Sequence, residues 1–336
     1  MAAEPLLQER ADSALRELQE RGSTDALRKR EEAGDALAEL AHAHLNANEL
    51  DGALYSAEKA LFLTGFSHCA AEKTASRAER ALLASSGASF LERTPPHHES
   101  NLPADLPETS VTRASSPDEF ASVQRSDVPG LIDGIAHGWP AFQNWDLHEL
   151  VRRAGHRYVP LEIESTLDGS WREEIVPLKS FVEQYLCTCN VQEKELAYMA
   201  QHPLLTHLPS LWDDVNVDPN FISGGADAVQ ESHAWIGMRG TRTRLHRDNL
   251  ENILVSIRGY KYVQLFHPSQ ASRLYVCGNS SPIDVEQPDF KSFPKFANAR
   301  CETALIGPGD GLYIPAHWFH FVKNVSAYSI ALSLWW

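Results

Sequence analysis

Polar and apolar positions follow two different periods along the chain, and the change of period divides the sequence. Up to about residue 84, apolar residues recur at steps of three and four, as in Leu37, Leu40 and Ala41, which is the spacing of one helical face. A second run of this kind follows the turn-forming segment Asn46-Ala47-Asn48. The pattern predicts that residues 1–84 form an α-helical region with a helical hairpin, of the kind that proteins use as an interaction module.

A stretch of different composition follows the helical region. Residues 85–117 contain Pro95-Pro96, Pro103, Pro107 and Ser115-Ser116-Pro117, and neither the helical nor the strand period organises them. This composition is typical of a Pro/Ser-rich linker.

From residue 118 to 336 the period shortens to short strand-like runs bounded by Gly, Pro and Asn. Short helices are predicted at 147–153 and 178–186. Many short strands without alternating long helices indicate an antiparallel double-stranded β-helix, or jelly roll. The chain is therefore predicted to be mainly β, with an α-helical N-terminal region. The predicted strands begin at Gly130, Tyr158, Ala234, Asn252, Lys261, Gly311 and Tyr328.

The charge balance restricts the partners. A net charge of −15 leaves no basic face for a nucleic-acid backbone, and instead favours a basic protein or peptide. No apolar stretch is long enough to cross a bilayer, the N-terminus lacks a signal-peptide pattern, and the five cysteines have no disulfide spacing. These features predict a nuclear or cytoplasmic protein that is not secreted.

His246-Arg247-Asp248 carries the most specific chemistry. On a strand, residues two apart face the same way, so His246 and Asp248 can both point into the barrel. Two imidazoles and one carboxylate are the ligand set that holds Fe(II) in many oxygen-activating enzymes. The third ligand has two candidates, His317 and His320, which lie three residues apart and therefore face opposite ways on a regular strand.

A set of ordered motifs, spread from about residue 118 to the end, resembles the JmjC-domain dioxygenases. The resemblance implies that His320 is the third ligand and that His317 lies at the rim or surface. Arg244 stands where related chains commonly carry proline, and Phe319 where they more often carry tryptophan. The motifs are Ala200-Gln-His202, Trp235-Ile-Gly, Thr243-Arg-Leu-His246-Arg-Asp248, Arg258-Gly-Tyr-Lys261-Tyr, Gly309-Asp-Gly-Leu-Tyr-Ile-Pro315, Trp318-Phe-His320 and Trp335-Trp336.

The same resemblance implies the cofactors Fe(II) and 2-oxoglutarate, with O2 as co-substrate. Lys261 would pair with the far carboxylate of 2-oxoglutarate, Thr243 and Tyr198 would offer hydroxyls, and Asn252 would offer an amide near the other end. Beyond the metal ligands, no catalytic side chain is implied.

The substrate side of the site is predicted from the segment Val159-Pro-Leu-Glu162-Ile, which matches the family segment at the substrate mouth. A guanidinium prefers carboxylates, so Glu162 is the candidate receptor for an arginine, and Trp235 the candidate wall beside it. The leading hypothesis is hydroxylation of an arginyl residue in a protein. The alternatives are demethylation of histone methyl-lysine with the same cofactors, and a catalytically idle cupin-fold interaction protein.

Overall fold

The structure of the chain is a computed structural model that describes residues 4–19, 26–86, 91, 102–104, 106–187 and 195–336. Part of the predicted linker, at 87–90, 92–101 and 105, lies outside the described residues, as do 1–3 and 20–25 of the helical region. Among the helices that the structure does describe, none combines the length and the apolarity that a membrane span requires.

One compact unit comprises Met1–Glu92, Leu150–Val159 and Ile175–Ser180. The alanines and leucines that recur at helical spacing form its buried core. The small alanine side chains let neighbouring helices approach closely. The two runs recognised in the sequence become α2 and α3, separated by a turn in which Asn48 has a left-handed φ of 63°. The N-terminal helices are α1 (Glu4–Gln19), α2 (Ala26–Asn46), α3 (Leu50–Leu63) and α4 (Cys69–Ser86).

A buried ion pair ties this unit together. The Arg157 guanidinium hydrogen-bonds the Glu58 carboxylate of α3, and lies 3.4 Å from the Glu79 carboxylate of α4. Glu58 is fully buried, and Arg157 compensates its charge there.

The second unit comprises Arg93–Glu149, Pro160–Glu174 and Phe181–Trp336. Within the described residues the strands form two sheets, one in the order β1-β2-β11-β8-β13-β6-β5-β3-β4 and the other in the order β10-β9-β12-β7. The predicted jelly roll is confirmed by this mainly antiparallel two-sheet arrangement. The strands are β1 (Thr112–Ala114), β2 (Gly130–Ile132), β3 (Tyr158–Ser165), β4 (Trp171–Pro177), β5 (Glu195–His202), β6 (Glu231–Met238), β7 (Arg242–Arg247), β8 (Asn252–Arg258), β9 (Lys261–Phe266), β10 (Glu302–Ile306), β11 (Gly311–Ile314), β12 (Phe319–Asn324) and β13 (Tyr328–Trp335).

Short helices connect the strands, including the two predicted from the sequence. The segment predicted at 178–186 divides into α8 and a π-helical turn, Val182–Leu186. The helices are α5 (Pro117–Arg125), α6 (Pro140–Asn144), α7 (Leu147–Ala154), α8 (Leu178–Phe181) and α9 (Leu204–His207), with 3-10 turns at Pro209–Asp214, Gly225–Ala228, Pro268–Gln270 and Pro294–Asn298.

The start of α5 shows how the chain enters the sheet region. Ser116 caps the helix by accepting a hydrogen bond from the Glu119 backbone N–H, and the Glu119 carboxylate accepts one from the Ser115 backbone N–H. This arrangement is a variant of the capping box in which the Glu119 carboxylate reaches the residue before the cap, and proline occupies the first helical position. β1 precedes it and pairs with β2, so ordered sheet structure begins inside the segment that composition predicts as a linker.

Apolar side chains from both sheets meet in one core cluster, which includes Leu254 and Ile314 from one sheet and Val263 and Val322 from the other. β8 and β9 join through Gly259, whose φ is +75°. A Cβ there would lie 2.2 Å from the Tyr328 carbonyl oxygen, so the turn requires glycine. This tight turn places Lys261 at the start of β9 with its side chain in the core.

Candidate metal centre

The structure brings His246, Asp248 and His320 together. His246 is the last but one residue of β7 and lies opposite His320 of β12 in an antiparallel pair, while Asp248 follows directly after the strand. The His246 and His320 Nε2 atoms lie 3.8 Å and 3.7 Å from the two carboxylate oxygens of Asp248. The three ligand atoms lie within 4.8 Å of one another, which suits coordination of one metal ion by a single face.

Backbone carbonyls orient both imidazoles. The Nδ1 atom of His246 lies 2.7 Å from the Arg244 carbonyl oxygen, and that of His320 lies 3.1 Å from the Trp318 carbonyl oxygen. Because a carbonyl only accepts, each ring donates from Nδ1, which leaves the lone pair on Nε2. Contacts of this kind fix the tautomer that a metal-binding histidine requires.

The charge state of His320 also suits its role as a candidate metal ligand. Burial, followed by the charge of neighbouring His246, lowers the pKa of His320 to about 4, although Asp248 opposes the change. The ring is therefore neutral near pH 7, and its lone pair is available.

Asp248 is oriented by Trp335, which belongs to the last of the JmjC motifs. The Trp335 indole Nε1 donates a hydrogen bond to Asp248 Oδ2 over 2.9 Å. His317, the other sequence candidate, has an exposed side chain and a left-handed φ of 68°. Only its backbone N–H contacts the centre, by donating to the Asp248 carbonyl oxygen.

A β-bulge explains how Thr243 reaches the same pocket. His246 pairs with His320 and Thr243 with Val322, so two residues of β7, Arg244 and Leu245, oppose the single residue Phe321 of β12. The extra residue shifts the alternation of side chains. Thr243 and His246 therefore both line the pocket, although they lie three positions apart.

The other end of the pocket holds a buried amine. The Lys261 side chain is 1% exposed, and its Nζ donates to Asn324 Oδ1 at 2.5 Å and, more weakly, to Tyr198 Oη at 3.4 Å. Burial lowers the pKa of Lys261 to about 7. Among the described residues no carboxylate lies within ion-pair distance of Lys261, so an anionic ligand would supply the missing charge.

Asn324 holds this end of the pocket in place, and sequence reasoning missed it. It faces Lys261 across β12 and β9, and its Oδ1 also accepts from the Ser329 hydroxyl at 2.6 Å. Its Nδ2 donates to Thr241 Oγ1. A signal was present in the sequence, because Asn324 lies four residues after His320 on one strand and so faces the same side.

Tyr198 and Asn252 complete the polar lining. Burial raises the pKa of Tyr198 and a hydrogen bond with Thr243 opposes this, so the phenol stays protonated as a donor. Asn252 is buried, and its Oδ1 has no hydrogen-bond partner within the described structure. A buried amide oxygen without a partner is uncommon in folded proteins, and a bound water or another hydrogen-bond donor would satisfy it.

The two predicted substrate residues occupy different positions. Trp235 lines the pocket, with its ring 6.0 Å from that of Tyr198 and its Nε1 donating to Ser333 Oγ at 3.0 Å. Glu162 is exposed on β3 and lies outside the pocket lining, but it pairs with Tyr198 across β3 and β5. The pocket therefore contains these eight predicted residues: Tyr198, Trp235, Thr243, His246, Asp248, Asn252, Lys261 and His320.

Comparison with known families identifies the sheet-rich region. The model of the cupin-like domain matches residues 116–336, about two thirds of the chain. This chain belongs to the cupin-like domain family. The match begins at Ser116, the residue that caps α5 and opens the cupin-like domain.

Several curated proteins resemble the cupin-like domain of this chain. They include lysine-specific demethylase 8 of Xenopus tropicalis, at 31% identity over 62% of this chain and 48% of that protein. The Danio rerio protein of the same name is 33% identical over 62% of this chain and 53% of its own length. Jumonji C domain-containing protein 5 of Drosophila melanogaster is 32% identical over 61% and 53%. These matches confirm the JmjC resemblance, and the chain spans about half the length of the curated relatives it matches.

Proposed function

We propose that this chain is an Fe(II)- and 2-oxoglutarate-dependent protein hydroxylase that oxidises an arginyl residue. One observation carries the proposal: a three-ligand centre and a buried amine without a counter-ion lie in the same pocket. A metal ion fits the first and a dianionic ligand fits the second.

His246, Asp248 and His320 would hold the iron. When bound, iron supplies the oxidation of a substrate C–H bond to C–OH by O2, coupled to conversion of 2-oxoglutarate into succinate and CO2. The protein contributes two imidazoles and one carboxylate, whose positions Trp335 and two backbone carbonyls fix.

Lys261 would bind the far carboxylate of 2-oxoglutarate, with Tyr198 and Thr243 as hydroxyl partners. Its ammonium carries three donors, of which Asn324 and Tyr198 occupy two. Asn252 would supply its amide to the end of 2-oxoglutarate nearer the metal. Leu254, Ile314 and Val322 provide apolar walls that exclude water.

An arginine side chain is the proposed substrate because Glu162 offers a carboxylate on the strand next to Tyr198, while Trp235 lines the pocket itself. Glu162 would accept the guanidinium, whose planar set of donors matches a carboxylate. Trp235 would pack against the arginine side chain.

The test is incubation of the full chain with Fe(II), 2-oxoglutarate and a peptide library rich in arginine and methyl-lysine, with His246→Ala as the control. We expect succinate formation and a mass gain of one oxygen atom on arginine, with the label retained from isotopic O2. Stoichiometric iron binding without peptide-stimulated succinate would favour the idle interaction protein instead.

The relatives named lysine-specific demethylases favour a second candidate, removal of methyl groups from histone lysine with the same cofactors. The methyl group would leave as formaldehyde after hydroxylation. Formaldehyde release from a methyl-lysine peptide, without an oxidised arginine product, would establish this candidate over arginyl hydroxylation.

A nuclear or cytoplasmic location suits either substrate. The thiols of Cys69, Cys277 and Cys301 are free in the structure, as a reducing compartment would keep them.

A further inference from the structure

The hairpin of β3 and β4 carries two carboxylates that lack a basic partner. Glu164 pairs with Arg242 at 2.9 Å, and Glu174 and Glu195 both pair with Arg172 at 2.7 Å. In contrast, no lysine, arginine or histidine of the described chain lies within ion-pair distance of Glu162 or Glu173. Some glutamates of this hairpin are therefore paired with arginine, whereas Glu162 and Glu173 are not.

The pairing of strands shows which way these side chains face. Glu162 pairs with Tyr198, which lines the pocket, so Glu162 lies on the pocket face of the sheet. Ser165, which lies three residues after Glu162, pairs with Glu195. Both Ser165 and Glu195 therefore lie on the opposite face of the sheet.

Arg172 binds Glu195 and Glu174, so these three side chains lie on the face away from the pocket. By alternation along β4, Trp171 and Glu173 lie on the same face as Glu162. The pocket face of the hairpin therefore presents an indole and two unpaired carboxylates next to the mouth of the site.

The apolar part of this face is unusually open to solvent. Trp171 is 56% exposed, and Leu167 in the turn between the strands is 76% exposed. The turn is well defined, because Ser165 N–H donates to the Ser170 carbonyl oxygen and Gly169 N–H donates to the Ser165 carbonyl oxygen. An ordered hairpin that holds large apolar side chains in water is typical of a binding surface.

The electrostatics of the mouth favour a cation. Partial burial, followed by the charge of Glu173, raises the pKa of Glu162, while the charge of Arg244 lowers it. Glu162 and Glu173 thus repel each other, and Arg244 offsets this only in part. A second positive charge from a ligand would relieve the repulsion.

We propose that Glu173 and Trp171 form a docking surface for a basic residue that flanks the target residue of a peptide substrate. This inference rests on the proposed function, in which Glu162 receives the target arginine. Adjacent strands lie about 4.8 Å apart and an extended peptide advances about 3.4 Å per residue. The flanking lysine or arginine would therefore lie one or two positions from the target, with its aliphatic stem against the Trp171 indole.

The test measures peptide binding without turnover, using the full chain, no 2-oxoglutarate and short fluorescein-labelled peptides with a central arginine. Three peptides carry lysine, serine or glutamate at the two positions on either side. We expect the lysine peptide to bind about two- to fivefold more tightly than the serine peptide, a preference that high ionic strength removes.

Substitutions assign the preference to this face. Glu173→Gln should abolish most of the preference for the lysine peptide. Glu173→Lys should make the glutamate peptide the preferred one. Glu174→Gln, on the opposite face of the same strand, should retain the preference for the lysine peptide. Trp171→Ala should weaken binding of the lysine peptide severalfold. Phe290→Ala, which removes another exposed aromatic ring, should leave that binding unchanged.

Equal affinity of the three peptides for the unaltered chain, or an unchanged preference in Glu173→Lys, would overturn the proposal. So would concentration-dependent self-association that Glu173→Lys removes, because the surface would then join copies of the chain. Since binding is measured without turnover, the two hypotheses separate. Oxidation of arginine without a Glu173-dependent preference rejects only the docking surface, and a Glu173-dependent preference without oxidation rejects only the proposed activity.

Discussion

The indole Nε1 of Trp335 donates a hydrogen bond to Oδ2 of Asp248 over 2.9 Å, so the end of β13 orients a candidate metal ligand. Trp335→Phe keeps the ring in the core and removes only this donor. Loss of such a contact to a ligand weakens metal binding about 10–100-fold. We expect a decrease of this size in a chelator competition titration, a measurement independent of activity. Trp336→Phe is the control, since that ring contacts Tyr313 instead, and equal affinities in both variants would contradict the role of Trp335.

Lys261 should control 2-oxoglutarate binding without affecting the metal. Lys261→Met removes the buried charge, and loss of a charge-assisted hydrogen bond of about 1.5–3 kcal/mol corresponds to roughly ten- to hundredfold weaker binding. Calorimetric titration of 2-oxoglutarate into the metal-loaded protein measures this. Metal affinity should stay unchanged, and exposed Lys295→Met should behave like the unaltered chain. Full 2-oxoglutarate affinity in Lys261→Met would place the ligand elsewhere.

The same lysine predicts a pH dependence of stability. Burial lowers the pKa of Lys261 to about 7 in the folded chain, whereas an unfolded lysine titrates near 10.4. Between these values the unfolded state binds more protons, so the free energy of unfolding rises with pH, by at most about 1.4 kcal/mol per unit from this group. Below pH 7 both states are protonated and the dependence from Lys261 disappears.

The measurement is urea denaturation of the ligand-free protein from neutral to alkaline pH, compared with Lys261→Met. For each protein the free energy of unfolding is plotted against pH. The difference between the two slopes isolates the contribution of Lys261 from that of the other titrating groups. Parallel slopes would show that the Lys261 amine is not desolvated.

The absence of a side chain at Gly237 should be needed for the packing around Lys261. A Cβ at this position would lie 2.5 Å from Tyr198 Cδ2, 2.6 Å from Thr241 Oγ1 and 3.0 Å from Asn324 Nδ2. Gly237→Ala must therefore displace the side chains that surround Lys261, and we expect about tenfold weaker 2-oxoglutarate binding from a 1 Å misplacement or less. Gly138→Ala, where nothing lies within 4 Å of the added Cβ, is the matched control. Unchanged binding in Gly237→Ala would show that this packing is adaptable.

The helical unit should depend on the pair between Glu58 and Arg157. Glu58→Gln leaves the Arg157 guanidinium buried without its nearest counter-charge, so the free energy of unfolding should fall by about 3–5 kcal/mol. Glu79→Gln should cost less, because Glu79 is more exposed and more distant. Replacing both partners, in Glu58→Leu with Arg157→Leu, should recover part of the loss. Urea denaturation followed by circular dichroism measures all three, and an unstable double variant with a stable Glu58→Gln would contradict the assignment.

Local pattern predicted more of the fold than of the pocket. The three- and four-residue repeats located α2 and α3, and the apolar runs located β2, β3, β6, β8, β9, β11 and β13. The strands β1, β4, β5 and β10 were not predicted, and β4 shows why. Its residues Trp171–Glu174 are largely exposed, and an edge strand with so little buried surface has no clear alternation of polar and apolar positions.

The sequence by itself paired the candidate metal ligands His246 and Asp248, because residues two positions apart on a strand share a face. It also supplied the lysine, tyrosine and histidine that the family resemblance assigned to the site. Tertiary structure decided which distant residues meet them. The bulge opposite Phe321 brings Thr243 into the pocket, Asn324 holds Lys261, and β13 carries Trp335 to Asp248. Such contacts join residues far apart in the chain, where strand pairing and register, and not local periodicity, set the distance.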